Sequence, residues 1–120
     1  SLNITKSIEI VYGLRNFIGN ANKFSKSKVF ISLKSDKDIT EILIEDDGEG
    51  YSKDVLSKIG EPYIKSIKSS IKSKSGLGLG IFIGKTLLEK NYANILCGNS
   101  KIKSGAEVII KWKNKDLLSL

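Results

Sequence analysis

Apolar residues follow a helical spacing in two parts of the chain. Within residues 7–24, apolar side chains recur three or four positions apart from Ile8 to Ala21, which predicts a helix with one broad buried face. Residues 77–91 show the same spacing. Both helices therefore need a second layer of structure against which to bury that face.

Four shorter segments have the pattern of β-strands. Residues 28–34 and 39–46 alternate apolar and polar side chains on either side of a short polar turn, which predicts a hairpin. Residues 93–97 and 106–112 predict two further strands. The fold class that follows is α/β: a two-layer sandwich with a mixed β-sheet and helices packed on one face.

The segment between the hairpin and the second helix is different in character. Ser52 stands where it would cap a short helix over residues 52–59. Residues 61–75 are rich in lysine and serine and have no period, so we expect a flexible lid there. No linker or repeat divides the chain, and residues 1–120 are predicted to form one domain.

Composition excludes several kinds of function. The chain has no histidine, so histidine-based acid–base catalysis and nucleophile pairs are ruled out. The single cysteine, Cys97, lies in an apolar run and is interpreted as a small buried side chain. The net charge of +7 comes almost entirely from lysine, with Arg15 as the one arginine. Because base recognition favours arginine, this charge is weak support for nucleic-acid binding.

Three polar side chains lie on one face of the first predicted helix: Asn16, Asn20 and Lys23. An amide oxygen can bind a hard divalent cation, and a lysine can neutralise phosphate. A solvated polar face would have the same composition, so this stripe alone leaves both interpretations open.

Two glycine-rich segments suggest close approach to a ligand. One segment is Asp46-Asp47-Gly48-Glu49-Gly50, which directly follows a predicted strand. Its glycines allow the backbone to contact a flat ligand, and a carboxylate at the strand end can accept a hydrogen bond from an exocyclic amine. An acidic turn is the alternative, and the spacing does not fit a calcium loop. Glycines 76, 78 and 80 open the second helix, where backbone amides can bind phosphate. A P-loop ending at Thr86 is excluded, because that motif requires a glycine at position 79 and this chain has Leu79 there.

The order and spacing of these segments resemble a known family. Four segments resemble, in order, the N, G1, F and G2 boxes of histidine kinase catalytic domains: the stripe that begins at Asn16, the turn that begins at Asp46, the tripeptide Glu61-Pro62-Tyr63 and the segment that begins at Gly76. That superfamily also includes gyrase, Hsp90 and MutL. The resemblance covers nearly the whole chain and implies the Bergerat α/β sandwich with an ATP lid.

The resemblance also implies roles for individual residues. Asn20 would bind Mg²⁺, and Asn16 would assist the metal and the phosphates. Lys23 would contact phosphate, Phe24 would pack near the nucleoside, and Lys65 of the lid would reach the γ-phosphate. Asn16, Lys23 and Lys65 are therefore the expected catalytic residues.

Asp46 would bind the adenine amino group, Gly50 would line the base pocket, and Gly48 is a further expected ATP-binding residue. The remaining expected ATP-binding residues are Tyr63 in the lid and Gly76, Leu77, Gly78 and Leu79 at the second helix. Lys74 departs from the pattern, because the family has a further glycine two residues before Gly76.

The expected reaction is transfer rather than hydrolysis, because the hydrolysing branch has glutamate at the position of Asn16 and an amide is not a base. The resemblance implies a cytoplasmic part of a membrane-anchored two-component sensor kinase, with ATP and Mg²⁺ as cofactors. Its partners would be a histidine-bearing dimerisation domain and a response regulator, without direct binding of nucleic acid. Residues 61–63 and 78–89 look like the corresponding segments of RegB/PrrB-type kinases. The alternatives are an anti-sigma-factor-type serine kinase and a degenerate interaction or nucleic-acid-binding module.

Overall fold

A computed structural model describes residues 4–59 and 76–119 of the chain. The elements in chain order are α1 (Ile4–Phe24), β1 (Val29–Ser35), β2 (Ile39–Asp46), α2 (Lys53–Ile59), α3 (Gly76–Lys90), β3 (Asn94–Asn99), β4 (Ala106–Lys113) and α4 (Asn114–Leu118). Every predicted helix and strand is present within a few residues of its expected ends. The short helix α4 was not predicted, and the expected lid lies outside the described residues.

The strands form one sheet in the order β1-β2-β4-β3. All three pairings are antiparallel, so the predicted mixed sheet is wrong for the described strands. β2 and β3 do run in the same direction, as a helical crossover requires. They are not neighbours, however, because β4 lies between them and pairs with both.

The helices cover one face of this sheet, as predicted, and the core lies between the layers. Alternate residues of β2 and β4, among them Ile44, Val108, Ile110 and Trp112, point toward the helices and are buried. Phe17 of α1 packs among them with 1% of its surface exposed. The two-layer α/β sandwich is therefore confirmed.

Helices α1 and α3 approach closely because glycines face each other where they cross. A Cβ on Gly84 would lie 2.8 Å from the ring of Phe17, and one on Gly13 would lie 2.8 Å from the Leu88 side chain. One turn before Gly84, a Cβ on Gly80 would lie 3.1 Å from the Asn20 amide. The close crossing thus brings the start of α3 against the polar stripe of α1.

The expected cap of α2 is confirmed, since the backbone N–H of Val55 donates to Ser52 Oγ at 3.2 Å. No helix within residues 4–59 and 76–119 combines the length and the apolar character needed to cross a bilayer.

Candidate functional site

A cleft of about 330 Å³ opens between the C-terminal half of α1 and the ends of β2 and β4. Its lining residues are Phe17, Asn20, Ala21, Lys23, Phe24, Lys26, Ile44, Asp46, Glu49, Gly50, Tyr51, Ala106 and Val108. Apolar side chains from the core form its floor, and the exposed charged side chains of Lys23, Lys26 and Glu49 stand at its rim. A cavity of this kind suits a ligand with a flat apolar part and a charged part.

Asp46 is the buried carboxylate of the cleft, with 3% of its surface exposed. Its Oδ1 accepts hydrogen bonds from the backbone N–H of Gly48 at 2.8 Å and of Ala106 at 3.3 Å. No described residue hydrogen-bonds to Oδ2. The carboxylate is therefore held by one oxygen, and its other oxygen is available to a donor on a bound ligand.

Three glycines allow the backbone to close around Asp46. A Cβ on Gly48 would lie 2.1 Å from the carbonyl oxygen of Phe24, and one on Gly105 would lie 2.2 Å from Asp46 Oδ1. Gly50 has φ +82°, a conformation that other residues rarely adopt. The segment from Asp47 to Tyr51, which we call the glycine turn, thus follows a path that side chains at positions 48 and 50 would block.

Asp47 connects this turn to the loop after α1. Its Oδ1 accepts from the backbone N–H groups of Lys26, Ser27 and Lys28 at 2.9 to 3.1 Å, and its Oδ2 accepts from Ser27 Oγ at 2.7 Å. These hydrogen bonds hold the pKa of Asp47 well below its usual range, and those from Ser27 have the largest effect. No role for Asp47 was predicted from the sequence, yet this residue fixes the loop that carries Lys26 to the rim of the cleft.

Asn20 occupies the part of the cleft next to α3. Its Nδ2 is the one buried side-chain nitrogen or oxygen among the described residues that lacks a hydrogen-bond partner. An unpaired buried amide is costly in a folded protein, and here it lies beside the start of a 15-residue helix. A helix N-terminus favours anions, so Asn20 and α3 together offer a site for a charged group.

Lys23 and Phe24, both of them predicted site residues, also line the cleft. The Lys23 ammonium lies 5.3 Å from the centre of the Phe24 ring, and 43% of Phe24 is exposed. Both side chains can therefore reach a ligand at the mouth of the cleft.

Asn16 lies one helical turn before Asn20 but does not line the cleft. Its Nδ2 donates to the backbone oxygen of Tyr12 at 2.8 Å. The expected contact of Asn16 with metal and phosphate remains a prediction. Tyr63, Lys65 and Lys74 lie outside the described residues, and of residues 76–79 only the helical backbone is described.

Eight lining residues were not predicted as site residues from the sequence, among them Lys26, Glu49, Tyr51 and Ala106. Tyr51 is the most buried of the polar ones, and burial raises its pKa above the usual value. Its position directly after Gly50 was a usable signal, whereas Ala106 carries no chemistry that a sequence could reveal. Cys97 is half-buried, and burial raises the pKa of its thiol to about 11, which agrees with the structural role expected for it.

Comparison with known proteins identifies the family of the chain that forms this cleft. The model of the "Histidine kinase-, DNA gyrase B-, and HSP90-like ATPase" family matches residues 5–116. The chain belongs to this family. The predicted resemblance is confirmed, and the match spans every element that lines the cleft.

Sequence relatives of the domain are sensor kinases. Sensor histidine kinase RegB of Cereibacter sphaeroides is 39% identical over 103 residues, covering 81% of this chain and 22% of RegB. Sensor protein SrrB of Staphylococcus aureus is 30% identical over 100 residues, covering 82% of this chain and 17% of SrrB. This chain therefore spans about a fifth of the length of these relatives.

Two solved structures share the fold. The mycobacterial sensor histidine kinase MprB aligns with a TM-score of 0.65 at 20% identity, covering 89% of this chain and 71% of that one. Full-length ShkA, crystallised in complex with AMPPNP, aligns with a TM-score of 0.63 at 24% identity, covering 87% of this chain and 21% of that one. Both alignments support the sandwich architecture of this histidine kinase-like ATPase domain.

Proposed function

We propose that this domain binds Mg-ATP in the cleft and provides the catalytic part of a sensor histidine kinase. The observation that carries the proposal is the arrangement at Asp46, a buried carboxylate that lines the cavity, with one oxygen held by two backbone amides and the other without a hydrogen bond to any described residue. Adenine presents an exocyclic amine that such an oxygen accepts from. The flat ring then lies against the apolar floor beneath the glycine turn.

The phosphates would extend toward Asn20 and the start of α3. Backbone amides at the N-terminus of α3 and the ammonium of Lys23 supply positive charge to this end of the cleft. The unpaired Nδ2 of Asn20 supports a ligand at this position, since a phosphate oxygen would accept a hydrogen bond from it.

The residues also fit Mg²⁺, which proteins hold through one or two oxygen ligands together with the phosphates of the substrate. Asn20 would present its amide oxygen to the ion. Rotation of the side-chain amide exchanges the positions of its oxygen and its nitrogen, so either atom can face the cleft. The ion would neutralise charge on the β- and γ-phosphates. Asn20, Lys23 and the first turn of α3 would orient the triphosphate for attack at its terminal phosphorus.

The acceptor is a histidine outside this chain, because the chain contains none. A ring nitrogen of that histidine attacks the γ-phosphorus, the bond from phosphorus to the bridging β–γ oxygen breaks, and ADP leaves. We place this histidine on a dimerisation domain of the same kinase, and a response regulator then takes the phosphoryl group from it. The sensor histidine kinases among the relatives support these partners, and we place the domain in the cytoplasm as part of the same proposal.

The test is a calorimetric titration of wild type and Asp46→Asn with a non-hydrolysable ATP analogue, with and without Mg²⁺. An asparagine keeps an oxygen for the amides of Gly48 and Ala106 but turns an N–H₂ group toward the adenine amine. We expect about a tenfold or greater loss of affinity, because a hydrogen bond to a charged group contributes about 1.5–3 kcal/mol.

Asp38→Asn is the matched control, because the Asp38 carboxylate is exposed in the β1–β2 turn and makes no side-chain hydrogen bond to any described residue. It should bind like wild type. Equal affinity of wild type and Asp46→Asn for the analogue would refute the placement of adenine at Asp46. No binding by wild type under any condition would refute the proposed function.

A further inference from the structure

Asn99, at the end of β3, holds the backbone of the glycine turn with both ends of its amide. Its Oδ1 accepts from the backbone N–H of Tyr51 at 2.7 Å, and its Nδ2 donates to the backbone oxygen of Tyr51 at 3.0 Å. The side chain thus pairs with Tyr51 as a residue of a neighbouring strand would. This pairing joins two segments that are 48 residues apart in the chain.

The approach of Asn99 depends on the glycine before Tyr51. A Cβ on Gly50 would lie 2.7 Å from Asn99 Oδ1, so the amide fits only against a residue without a side chain. Tyr51 itself is 9% exposed and lines the cleft. Asn99 therefore fixes the position of one wall of the cleft without lining the cleft itself.

The segment that follows Asn99 fixes the opposite side of the same subsite. Residues 100–105 form the β3–β4 turn, which is closed by a hydrogen bond from Ser100 N–H to the oxygen of Gly105 at 2.8 Å. Ser100 Oγ donates to Glu45 at 2.7 Å, and Ala106 N–H donates to Asp46 Oδ1 at 3.3 Å. One turn thus holds both the carboxylate that would select the base and the backbone that would cover it.

We infer that Asn99 is a positioning residue for the base subsite and that its hold on Tyr51 sets selectivity for adenine over bases that lack the 6-amino group. This inference rests on the proposed function. Its physical basis is that a hydrogen bond to the base amine is gained only while Asp46 and the glycine turn keep a fixed separation. Loss of the Asn99 amide frees the turn and leaves the phosphate-binding end unchanged, because the Asn99 amide hydrogen-bonds to Tyr51 and to no described residue of α1 or α3.

The experiment compares Asn99→Ala with Asn94→Ala, the same substitution at the exposed start of the same strand. Each protein is titrated with ADP, with purine riboside diphosphate, which lacks the amino group, and with inorganic pyrophosphate. The decisive quantity is the ratio of affinities for ADP and purine riboside diphosphate, because any uniform loss of folded protein cancels in it.

We expect wild type and Asn94→Ala to prefer ADP by about tenfold, the value of one charge-assisted hydrogen bond. In Asn99→Ala that preference should fall by about fivefold, toward equal binding, while pyrophosphate affinity stays at the wild-type value. A preference for ADP that survives in Asn99→Ala overturns the inference. So does an equal loss for all three ligands, which would show a general structural role.

Asn99→Asp provides a second variant if the alanine variant does not fold. Aspartate keeps an acceptor for the N–H of Tyr51 and lacks the donor to its oxygen, so the preference for ADP should again fall. An unchanged ratio in Asn99→Asp would also count against the inference. Failure of wild type to bind ADP would instead refute the proposed function, which keeps the two ideas separable.

Discussion

Replacing Gly105 by alanine tests whether the β3–β4 turn sets the geometry of the base subsite. The backbone of Gly105 does not have a left-handed φ, so alanine is conformationally allowed there. The obstacle is steric: the added Cβ would lie 2.2 Å from both the carbonyl oxygen and Oδ1 of Asp46, and 2.7 Å from its carbonyl carbon. Two of these atoms belong to the backbone of β2 and cannot rotate away.

The size of the effect follows from that overlap. Ordinary contact begins at 3.4 Å, so the turn must move away from β2 by about 1 Å. This movement lengthens the hydrogen bond from Ala106 N–H to Asp46 Oδ1, already 3.3 Å, beyond any useful distance. Overpacking of this kind typically costs about 1–3 kcal/mol of folding free energy. Nucleotide affinity should fall by about tenfold or more, because Asp46 loses one of its two supports and with it the fixed contact to the amine.

The assay is thermal unfolding together with titration of a non-hydrolysable ATP analogue. Gly98→Ala is the matched control: it lies on β3, its backbone also lacks a left-handed φ, and no described atom stands within 4 Å of its added Cβ. We expect the control to bind like wild type. Wild-type affinity in Gly105→Ala would show that the turn yields without disturbing Asp46, and the reasoning would then be wrong.

Two further predictions concern stability. Gly84→Ala should lower the melting temperature by a few degrees, because its Cβ would meet the Phe17 ring at 2.8 Å and a backbone oxygen at 3.0 Å, and this overpacking outweighs a gain in helix propensity of about 1 kcal/mol. Gly19→Ala, whose Cβ has no described atom within 4 Å, should raise the melting temperature. A change of the same sign in both variants would contradict this reasoning. Asp47 has its folded-state pKa held below the unfolded value of about 3.9, so its contribution to stability is complete above pH 4 and is lost as the pH falls further. Melting temperatures from pH 6 to pH 3 should therefore drop more steeply for wild type than for Asp47→Asn, and parallel curves would contradict the assignment.

The sequence predicted those features that are encoded locally. The helical spacing in α1 and the alternation in β2 place Phe17 and Ile44 in the core as expected, because each pattern matches one buried face. Ser52 was recognisable as a cap because the signal and its partner, the N–H of Val55, lie three residues apart. Asn20 and Asp46, which line the cleft, were predicted from the order and spacing of four segments along the chain, because each segment alone left a plain structural interpretation open.

What the sequence did not predict depends on contacts between distant segments. The position of β4 between β2 and β3 is decided by packing of the whole sheet, and the strand patterns are equally compatible with a parallel neighbour. Asn99 resembles any polar residue at the end of a strand until Gly50 and Tyr51 are brought against it. Asp47 was hidden for a related reason, since its partners in the loop at Lys26 to Lys28 are about 20 residues earlier in the chain.

The insertion of β4 between β2 and β3 also explains why the cleft needs the end of one strand and the beginning of another. Antiparallel pairing places the end of β2, at Asp46, next to the start of β4, at Ala106. If β3 lay beside β2 instead, the two strands would be parallel and the N–H of Ala106 would not reach Asp46. The same arrangement brings Asn99, opposite Ala106 in the β3–β4 pairing, to the glycine turn. The hydrogen-bonded cluster of residues 46, 51, 99 and 106 is therefore a consequence of strand order. A change that reorders the sheet would remove the base subsite even with every motif residue intact.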